Sequence, residues 1–401
     1  MKTQFFKSLS FGLLLSVALL STSCKENEIL NEVTPTEADK SDKLGIPTKF
    51  DEIGFALLLE EYMEPKVAGF GYAIYNDGKE YYRTNGGDGW ARKKIETPFQ
   101  LHGAIVKQEI VTSTQFVTAV AVMRALEIYN LSLSSKVWPF LPKFWVPSDE
   151  FKSLTFERLL AHKTGLINYN DLTKLRQTVE GPVNNALFST ESYQNNDVNY
   201  LLLGIILPYI QAKKLADIGS SSMLNTLNKF DENFVDYGSY FRSFVRTNVF
   251  TPAGLNTPTL VDWQPWDHNG TYSPSLATKG YPSKNGEEPG IVKGINRFNC
   301  GVTGLYISAS EFGKIQSAVA KNKVISATSL TNMKTKMLGF DNKLVGTKGA
   351  YYWKRGVGDN CETMIFDFGK VQVAVFANSL QSDISSPTVL AQMFENSFIP
   401  L

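Results

Sequence analysis

The amino-acid sequence predicts an α+β protein, an α/β sandwich in which one antiparallel sheet is built from both ends of the chain. Three observations support this prediction. Strand-like runs occur near the start of the body, at 67–84, and again near its end, at 351–377. Between them lie a long apolar helix and, over 130–320, a mixture of helical pieces and loops. Strands from both ends would therefore share a sheet flanked by helices, and the middle of the chain would form a helical subdomain.

The first elements of the body are a helix and a hairpin. Residues 51–63 carry apolar side chains at helical spacing, which predicts a helix with one buried face. Residues 67–75 and 80–84 contain the apolar and aromatic residues that are typical of strands. Asn76-Asp77-Gly78 joins them, and this tripeptide is a strong hairpin signal because its residues tolerate positive φ angles.

The remaining elements are a central helix and a C-terminal group. Residues 112–129 are apolar nearly all round, which is typical of a helix buried in the centre of a domain. Thr112 or Ser113 can cap its N-terminus, because a hydroxyl accepts a backbone N–H of the first turn. The C-terminal part predicts a strand, a hairpin across Gly369-Lys370 and a final helix, at 351–357, 362–377 and 387–398.

Length, composition and charge limit the class of protein. The chain has 401 residues, of which 43% are hydrophobic and 20% are charged, as in a globular protein with a sizeable core. The formal net charge is +1, so no basic excess points to nucleic acid as a partner. No phosphate-binding loop, dinucleotide fingerprint or zinc motif occurs, and the three histidines lack metal-ligand spacing. Neither a cofactor nor a metal is expected.

The first 24 residues have the pattern of a bacterial export signal. Lys2 and Lys7 precede a short apolar run from Leu9 to Leu20. This run is shorter than the ~20 residues that cross a bilayer. Leu20-Ser21-Thr22-Ser23-Cys24 resembles a lipobox, which implies that Cys24 carries lipid. The expected location is the cell envelope, with the lipid in the bacterial outer membrane and the protein periplasmic or surface-exposed. An ordinary secretory signal and a short buried helix are the alternatives.

Three segments follow: a signal peptide at 1–23, a flexible tether at 24–49 and a folded domain at 50–401. The tether is polar and charged and lacks any apolar period. Beyond the tether, the cysteines are Cys300 and Cys361. Export to an oxidising compartment favours a disulfide between them, and two buried thiols are the alternative.

Six segments of the body match, in order, one set of landmarks. They are Gly86-Gly87-Asp88-Gly89 with Thr97-Pro98-Phe99, Thr118-Ala119 to Leu131-Ser132-Leu133, Leu154-Thr155 to Gly165-Leu166, Tyr200 to Ile206, Val249 to Leu255 and Gly301 to Ala309. Together they resemble the β-lactamase and penicillin-binding family of serine hydrolases. The resemblance covers roughly 50–401 and implies the β-lactamase/transpeptidase-like fold, which does not by itself give a function.

Members of this family acylate the serine of a motif S-x-x-K, whose neutral lysine takes the serine proton. No serine of this chain has a lysine three residues later. Counting back from Leu131-Ser132-Leu133 places Thr112 in the serine position and Gln115 in the lysine position. Gln115 cannot serve as the base, because an amide lacks a basic lone pair. Thr112 is therefore either a relocated nucleophile or a helix cap. Lys107 is the alternative base, and otherwise a surface lysine.

The second motif of the family, Tyr-x-Asn, helps to shuttle protons, and it has two candidate positions here. Tyr193-Gln194-Asn195 matches by residue type but lies two residues too far from Tyr200. An ungapped count instead places Asn195, Asn196 and Asp197 at the motif.

The third motif of the family is K-T-G or H-x-G on a strand, and Lys354-Arg355-Gly356 matches it as K-x-G. The resemblance implies that Lys354 faces the cleft and attracts a substrate carboxylate. Gly356 would let a ligand approach the backbone, and Val357 would complete the ligand-binding set. A lysine that protects a strand edge from aggregation is the alternative interpretation of Lys354.

Two functions follow from these residues. The first is a catalytically degenerate lipoprotein that binds a carboxylate-bearing ligand, such as a cell-wall peptide, without turnover. The second is an active hydrolase of the β-lactamase, D-Ala-D-Ala carboxypeptidase or esterase type with a relocated nucleophile such as Thr112 or Ser113. The catalytic positions in either case are Thr112, Gln115, Tyr193 and Lys354. A purely structural envelope protein is a third alternative, which a filled cleft would favour.

Overall fold

The computed structural model describes residues 47–81, 86–169, 174–229, 235–267, 269–380 and 382–401. The predicted signal peptide at 1–23, Cys24 with its predicted lipid and nearly all of the predicted tether lie outside these residues. Within the described ranges, no helix combines the length and the apolar character needed to span a membrane.

The helices lie mainly between two groups of strands. In chain order they are α1 (Glu52–Met63), α2 (Thr114–Ile128), α3 (Asp149–Ser153), α4 (Phe156–Leu160), α5 (Leu175–Glu180), α6 (Asn185–Thr190), α7 (Val198–Asp217), α8 (Ser222–Leu227), α9 (Val235–Val245), α10 (Ala309–Ala320), α11 (Ala327–Lys336) and α12 (Pro387–Glu395). Short 3₁₀ turns occur at Val111–Ser113, Trp138–Phe140 and Pro258–Leu260, and a π-helical turn occurs at Arg246–Phe250.

The strands come from both ends of the chain. They are β1 (Thr48–Phe50), β2 (Phe70–Asn76), β3 (Lys79–Tyr81), β4 (Trp90–Arg92), β5 (Gln100–Leu101), β6 (Gln108–Glu109), β7 (Tyr306–Ile307), β8 (Asn342–Gly346), β9 (Gly349–Gly358), β10 (Cys361–Asp367), β11 (Val371–Ala377) and β12 (Phe398–Pro400). The main sheet has the order β3-β2-β11-β10-β9-β8, and every neighbouring pair in it is antiparallel. The predicted sheet from both chain ends is confirmed.

The main sheet separates two hydrophobic cores, because successive side chains of a strand point to opposite faces. On β2, Phe70, Tyr72 and Ile74 pack with side chains of α1 and α12. Ala73 and Tyr75 point the other way, into the core shared with α2, α7 and α10. Helices therefore cover both faces, as the α/β sandwich predicts.

The predicted hairpin after β2 is present. Asp77 and Gly78 have φ angles of 51° and 88°, as a two-residue turn with both φ values positive requires. The predicted end of the tether at residue 49 is wrong. Thr48 and Lys49 belong to β1, which pairs with β12 at the C-terminus, so the folded chain begins before residue 50.

The predicted central helix corresponds to α2, which is buried along nearly its whole length. It begins two residues later than the apolar pattern predicts, because Val111–Ser113 forms a 3₁₀ turn first. This turn packs against β9 and β10, and it sets Thr112 beside the end of β9. The position of Thr112, the predicted nucleophile or cap, is thus set by the turn that leads into the buried helix.

Candidate ligand-binding cleft

A cleft of about 870 Å³ opens between the end of β9 and the loops that precede α6 and α7. Its walls are mainly polar. They consist of Thr112, Leu166, Ile167, Asn168, Asn184, Gln194, Asn195, Asn196, Asp197, Asp341, Lys354, Arg355 and Val357. The structure thus brings Thr112, Lys354 and Val357 together in one open cleft. The filled cleft of a purely structural protein is not observed.

Thr112 lies at the cleft, and its hydroxyl donates to a backbone carbonyl. Thr112 Oγ1 donates a hydrogen bond of 3.1 Å to the backbone carbonyl of Arg355. A carbonyl oxygen is an acceptor that cannot remove a proton near neutral pH. Lys107, the alternative base, is buried and pairs with Glu311 at 3.4 Å, so it is neither a surface lysine nor part of the described cleft wall.

Ser113 does not act as the predicted cap. It occupies the N-cap position of α2, but its backbone is already helical and its side chain accepts no backbone N–H of the first turn. Ser113 Oγ instead shares a hydrogen bond of 2.8 Å with Thr363 Oγ1 on β10. This buried hydroxyl pair ties the start of α2 to the sheet, and it removes Ser113 from the candidate nucleophiles.

Gly356 serves the chain's own packing. A Cβ at this position would lie 2.5 Å from the Ile110 carbonyl oxygen, 2.6 Å from Thr363 Oγ1 and 3.0 Å from the Ser113 nitrogen. The glycine therefore lets the turn before α2 approach β9 closely. The prediction that a ligand would use this space is wrong, because protein backbone already occupies it. The turn itself is strained, since the β-branched Val111 has a φ of 47°.

Gln115 is held between a histidine and a carboxylate. His162 Nε2 lies 3.4 Å from Gln115 Oε1, and Gln115 Nε2 donates to Asp197 Oδ1 at 3.2 Å. His162 Nδ1 receives hydrogen bonds of 3.2 Å from the backbone N–H of Asn196 and from Asn199 Nδ2. The Asn196 carbonyl oxygen also lies 3.1 Å from Nδ1. A ring proton on Nε2 lets Nδ1 accept from both donors and points that proton at Gln115. The amide thus uses its acceptor toward the histidine and its donor toward Asp197.

His162 is a neutral, structural histidine. Burial is the main cause that lowers its pKa to about 3; the positive charge of Lys354 contributes to this shift, and Asp341 opposes it. The side chain is 5% exposed and stacks 4.9 Å from the ring of Tyr200 on α7. Its backbone has a φ of 54°, as the tight turn after α4 requires. The imidazole therefore orients Gln115 and does not titrate near neutral pH.

Lys354 faces the cleft side of β9, and its charge is already paired. Lys354 Nζ lies 2.5 Å from Asp341 Oδ1, and the side chain of the lysine is only 2% exposed. Asp341 Oδ2 also accepts the backbone N–H of Arg355 at 3.0 Å. Asp341 therefore neutralises the charge of Lys354 and also accepts the backbone N–H of Arg355 near the end of β9. The predicted role of Lys354 in attracting a carboxylate has a competitor inside the protein.

Both candidate positions of the second motif lie at the cleft or directly beside it. Gln194, Asn195, Asn196 and Asp197 line the cleft just before α7, whereas Tyr193 is not one of its described lining residues. Tyr193 is 41% exposed, and its ring stands edge-on to His162 with centroids 5.9 Å apart. The catalytic position of Tyr193 stays a prediction, because its ring contacts His162 and it directly precedes Gln194 of the wall.

Both cysteines of the folded part are free buried thiols. Cys361 lies at the start of β10, with its sulfur 3.6 Å from Lys293 Nζ, and burial raises its pKa to about 11. Cys300 lies near Arg242, and burial raises its pKa to about 12. Of the two alternatives, the disulfide is therefore not formed, and the thiols occupy separate surroundings.

Several cleft residues escape sequence reasoning. Asp341 lies in the connection between α11 and β8, and Asn184 caps α6. Neither belongs to a motif, and no pattern in the sequence indicates that Asp341, before β8, would pair with Lys354 on β9. Among the described residues, no group of three histidine, cysteine or carboxylate side chains is arranged to hold a metal ion. The described cleft wall therefore supplies hydrogen-bonding amides, the Lys354–Asp341 ion pair, the exposed Arg355 and the carboxylate of Asp197.

Comparison with solved structures identifies the fold. FmtA from Staphylococcus aureus aligns with a TM-score of 0.61 at 16% identity, over 92% of this chain and 97% of that one. A β-lactamase/D-alanine carboxypeptidase from Yersinia pestis, complexed with citrate, aligns with a TM-score of 0.57 at 11% identity over 85% and 98%. A D-amino acid amidase from Ochrobactrum anthropi SV3, complexed with L-phenylalanine, gives 0.56 at 13% over 86% and 96%.

In contrast to the structural comparison, the sequence comparisons find no match. No protein-family model matches the chain, and no curated protein matches it. At identities of 11–16% the similarity is one of fold. The chain has the β-lactamase/transpeptidase-like fold, as the six sequence landmarks predict.

Proposed function

We propose that this chain is a catalytically degenerate protein of the β-lactamase type, which binds a carboxylate-bearing ligand in its cleft without turning it over. One observation carries the proposal: the hydroxyl at the serine position donates to a carbonyl, and the amide at the lysine position is fixed between His162 and Asp197. Nucleophile and base act as a unit in catalysis, so losing both removes most of the rate enhancement.

The ligand is proposed from the chemistry of the cleft. The side chains of Gln194 and Asn195 are exposed in the wall, and amides suit the N–H and C=O groups of a peptide. Arg355 at the end of β9 lines the cleft, its side chain is exposed beside Trp353, and the planar fork of a guanidinium matches a carboxylate. Citrate and L-phenylalanine, bound by two proteins of this fold, also carry carboxylates. A short peptide with a free C-terminus, such as a cell-wall peptide, fits this description.

Two assays test the absence of turnover. The protein is incubated with a fluorescent penicillin and with a fluorophosphonate probe, and nitrocefin and short esters are offered as substrates. We expect no covalent label and no hydrolysis above the uncatalysed rate. Labelling of the native protein that disappears in Thr112→Ala would overturn the proposal and establish the relocated nucleophile.

Binding is tested with a cell-wall-type peptide and the same peptide bearing a C-terminal amide. We expect the free acid to bind more tightly by about tenfold, since a charge-assisted hydrogen bond contributes about 1.5–3 kcal/mol. Arg355→Gln should abolish this difference, and Arg176→Gln, on the surface helix α5, should preserve it. Equal binding of both peptides to the native protein would contradict the carboxylate assignment.

We also propose that lipid on Cys24 holds the protein at the bacterial outer membrane. The lipobox-like sequence and the polar segment that follows it support this proposal. Native protein should partition into detergent and gain the mass of acyl chains, and Cys24→Ala should do neither. A native protein that is cleaved but carries no acyl chains would establish an ordinary secretory signal instead.

A further inference from the structure

Three arginines gather around one aspartate away from the described wall of the cleft. Arg242 lies on α9, Arg246 begins the π-helical turn, and Arg297 comes from the loop before α10. Asp262 Oδ1 lies 3.1 Å from Arg242 Nε and 2.7 Å from an Arg246 terminal nitrogen. Arg297 approaches the other oxygen of Asp262 at 3.9 Å. We call these four residues the arginine cluster.

The charges of the arginine cluster do not balance. Asp262 is the carboxylate that the described ion pairs assign to all three guanidinium groups. The side chains of Asp262 and Arg242 are 6% and 10% exposed, and repulsion from the other two arginines lowers the pKa of Arg242 in addition to burial. Guanidinium groups keep their charge in proteins. Two positive charges therefore remain without a described counter-charge around a buried carboxylate and a buried guanidinium, which is unfavourable unless an anion completes the cluster.

The hydrogen bonds of the arginine cluster are incomplete as well. Arg242 Nε, Arg242 NH1, Arg246 Nε and Arg297 Nε are buried and have no well-aligned acceptor. The short contacts to Asp262 lack hydrogen-bond geometry, because even its Oδ1 has no aligned donor. Buried donors normally have acceptors, so four unpaired N–H groups from three converging arginines indicate a missing group that accepts. That group must be an acceptor with several oxygens.

The surrounding backbone holds the three arginines together. A Cβ on Gly238 would lie 2.3 Å from the Arg297 carbonyl oxygen and 3.4 Å from Arg242 NH1. The glycine on α9 therefore lets the loop with Arg297 close onto the helix. Arg246 starts a π-helical turn, a rare irregularity that is frequent at functional sites. The side chains of Arg246 and Arg297 are 26% and 36% exposed, which leaves solvent access to the cluster.

We propose that the arginine cluster binds a tetrahedral oxyanion, either inorganic phosphate or the phosphate group of a phosphomonoester. The forked donors of arginine match phosphate oxygens in pairs, and a doubly charged anion would neutralise the excess charge. Asp262 would stay in the site, where it orients Arg242 and Arg246. This site is independent of the proposed ligand of the cleft.

The proposal is tested by thermal unfolding of the full-length chain in sodium phosphate, in glycerol 3-phosphate and in sodium chloride at equal ionic strength. A ligand that binds only the folded state raises Tm, and saturating phosphate should raise it by about 2–5 °C relative to chloride. A rise with inorganic phosphate alone identifies the free anion. An equal or larger rise with glycerol 3-phosphate identifies a phosphomonoester group.

Arg246→Gln and Arg297→Gln locate the site, since both side chains reach solvent and their loss leaves the buried Arg242 paired. Each should weaken phosphate binding, measured by calorimetric titration, by about tenfold or more. Arg246→Lys keeps the charge and loses the forked donors, so its phosphate affinity should lie between those of the native chain and Arg246→Gln. The matched control Arg176→Gln should bind phosphate like the native chain. The proposal fails if neither anion changes Tm beyond chloride, or if the two variants respond as fully as the control.

Discussion

Lys354 and the arginine cluster are two buried cationic places in the same chain, and their charges are met in opposite ways. Lys354 has one carboxylate to itself, at 2.5 Å from Asp341. The three arginines share Asp262, and four of their N–H groups have no aligned acceptor. The first place is complete without a ligand, and the second is not. A cation marks a binding site only when the protein itself leaves its charge and its hydrogen bonds unmet.

This contrast reverses the order that the sequence suggests. Lys354 belongs to a motif-like K-x-G and is the obvious place for an anionic ligand. Arg297 lies far along the chain from Arg242 and Arg246, and the three arginines match no motif. In the structure, Asp341 neutralises the charge of Lys354. The arginine cluster instead has more positive charge than Asp262 neutralises. The three predictions that follow test the Lys354 side of this comparison, from the largest expected effect to the smallest.

Asp341→Asn should have the largest effect. It leaves the Lys354 ammonium, 2% exposed, without its counter-charge. Removing one partner of a buried ion pair typically costs about 3–5 kcal/mol, because the remaining charge stays desolvated. The free energy of unfolding, measured in urea, should fall by this amount. The double variant with Lys354→Met should regain most of the loss.

An equally unstable double variant would show that Asp341 acts mainly through its bond to the Arg355 N–H. A loss below about 1 kcal/mol in the single variant would show that water already reaches the pair. Lys354 would then not be a buried, neutralised cation, and its contrast with the arginine cluster would be wrong. Asp149→Asn is the matched control. Asp149 pairs with Lys152 on the surface, where ion pairs contribute little, so its loss should leave the stability nearly unchanged.

The sequence predicts the fold well because the fold depends on local patterns. The apolar and aromatic runs of β2 and β11, the turn at Asp77-Gly78 and the apolar α2 each specify an element within a few residues. The order of these elements then predicts one sheet built from both chain ends.

The cleft is predicted only in part, since its chemistry depends on contacts between distant segments. The count along α2 leads to Thr112, which lines the cleft, but nothing local reveals that its proton is given to the Arg355 carbonyl. Asp341 meets Lys354 because of the turn into β8, which has no motif. The arginine cluster depends on a loop of irregular structure, whose path cannot be derived from periodicity.

Gly356→Ala should have the next largest effect. The new methyl group would press on the Ile110 carbonyl oxygen at 2.5 Å, and backbone cannot rotate away as a flexible side chain can. Overpacking of this kind costs about 1–3 kcal/mol, measured by urea unfolding. Gly294→Ala is the control, because a Cβ there has no atom within 4 Å. A variant as stable as the control would mean that the turn before α2 can shift, and that the cleft has room near Gly356 after all.

The smallest effect is a change in the pH dependence of stability that reports the charge of Lys354. His162 has a folded pKa of about 3 against an ordinary value of 6.5, so between these values the unfolded chain binds a proton that the folded chain does not. Stability is therefore greatest above pH 6.5 and is lost as the pH falls toward 3, by up to about 1.4 kcal/mol per pH unit.

Burial is the main cause of this shift, Lys354 adds to it and Asp341 opposes it. His102, whose burial lowers its pKa to about 4, contributes a second loss over pH 6.5 to 4 and is unaffected by Lys354. Replacing the ion pair as a whole, with Lys354→Met and Asp341→Asn together, removes the two opposed charges near His162 and keeps its burial. Histidine resonances followed by NMR should then show the pKa of His162 moving up slightly, since Lys354 is the larger of the two charges in effect, while that of His102 stays fixed. A His162 pKa that does not move would mean that Asp341 cancels Lys354 at the imidazole as completely as it does in the cleft, and the difference between the paired lysine and the unmatched arginines would then be sharper still.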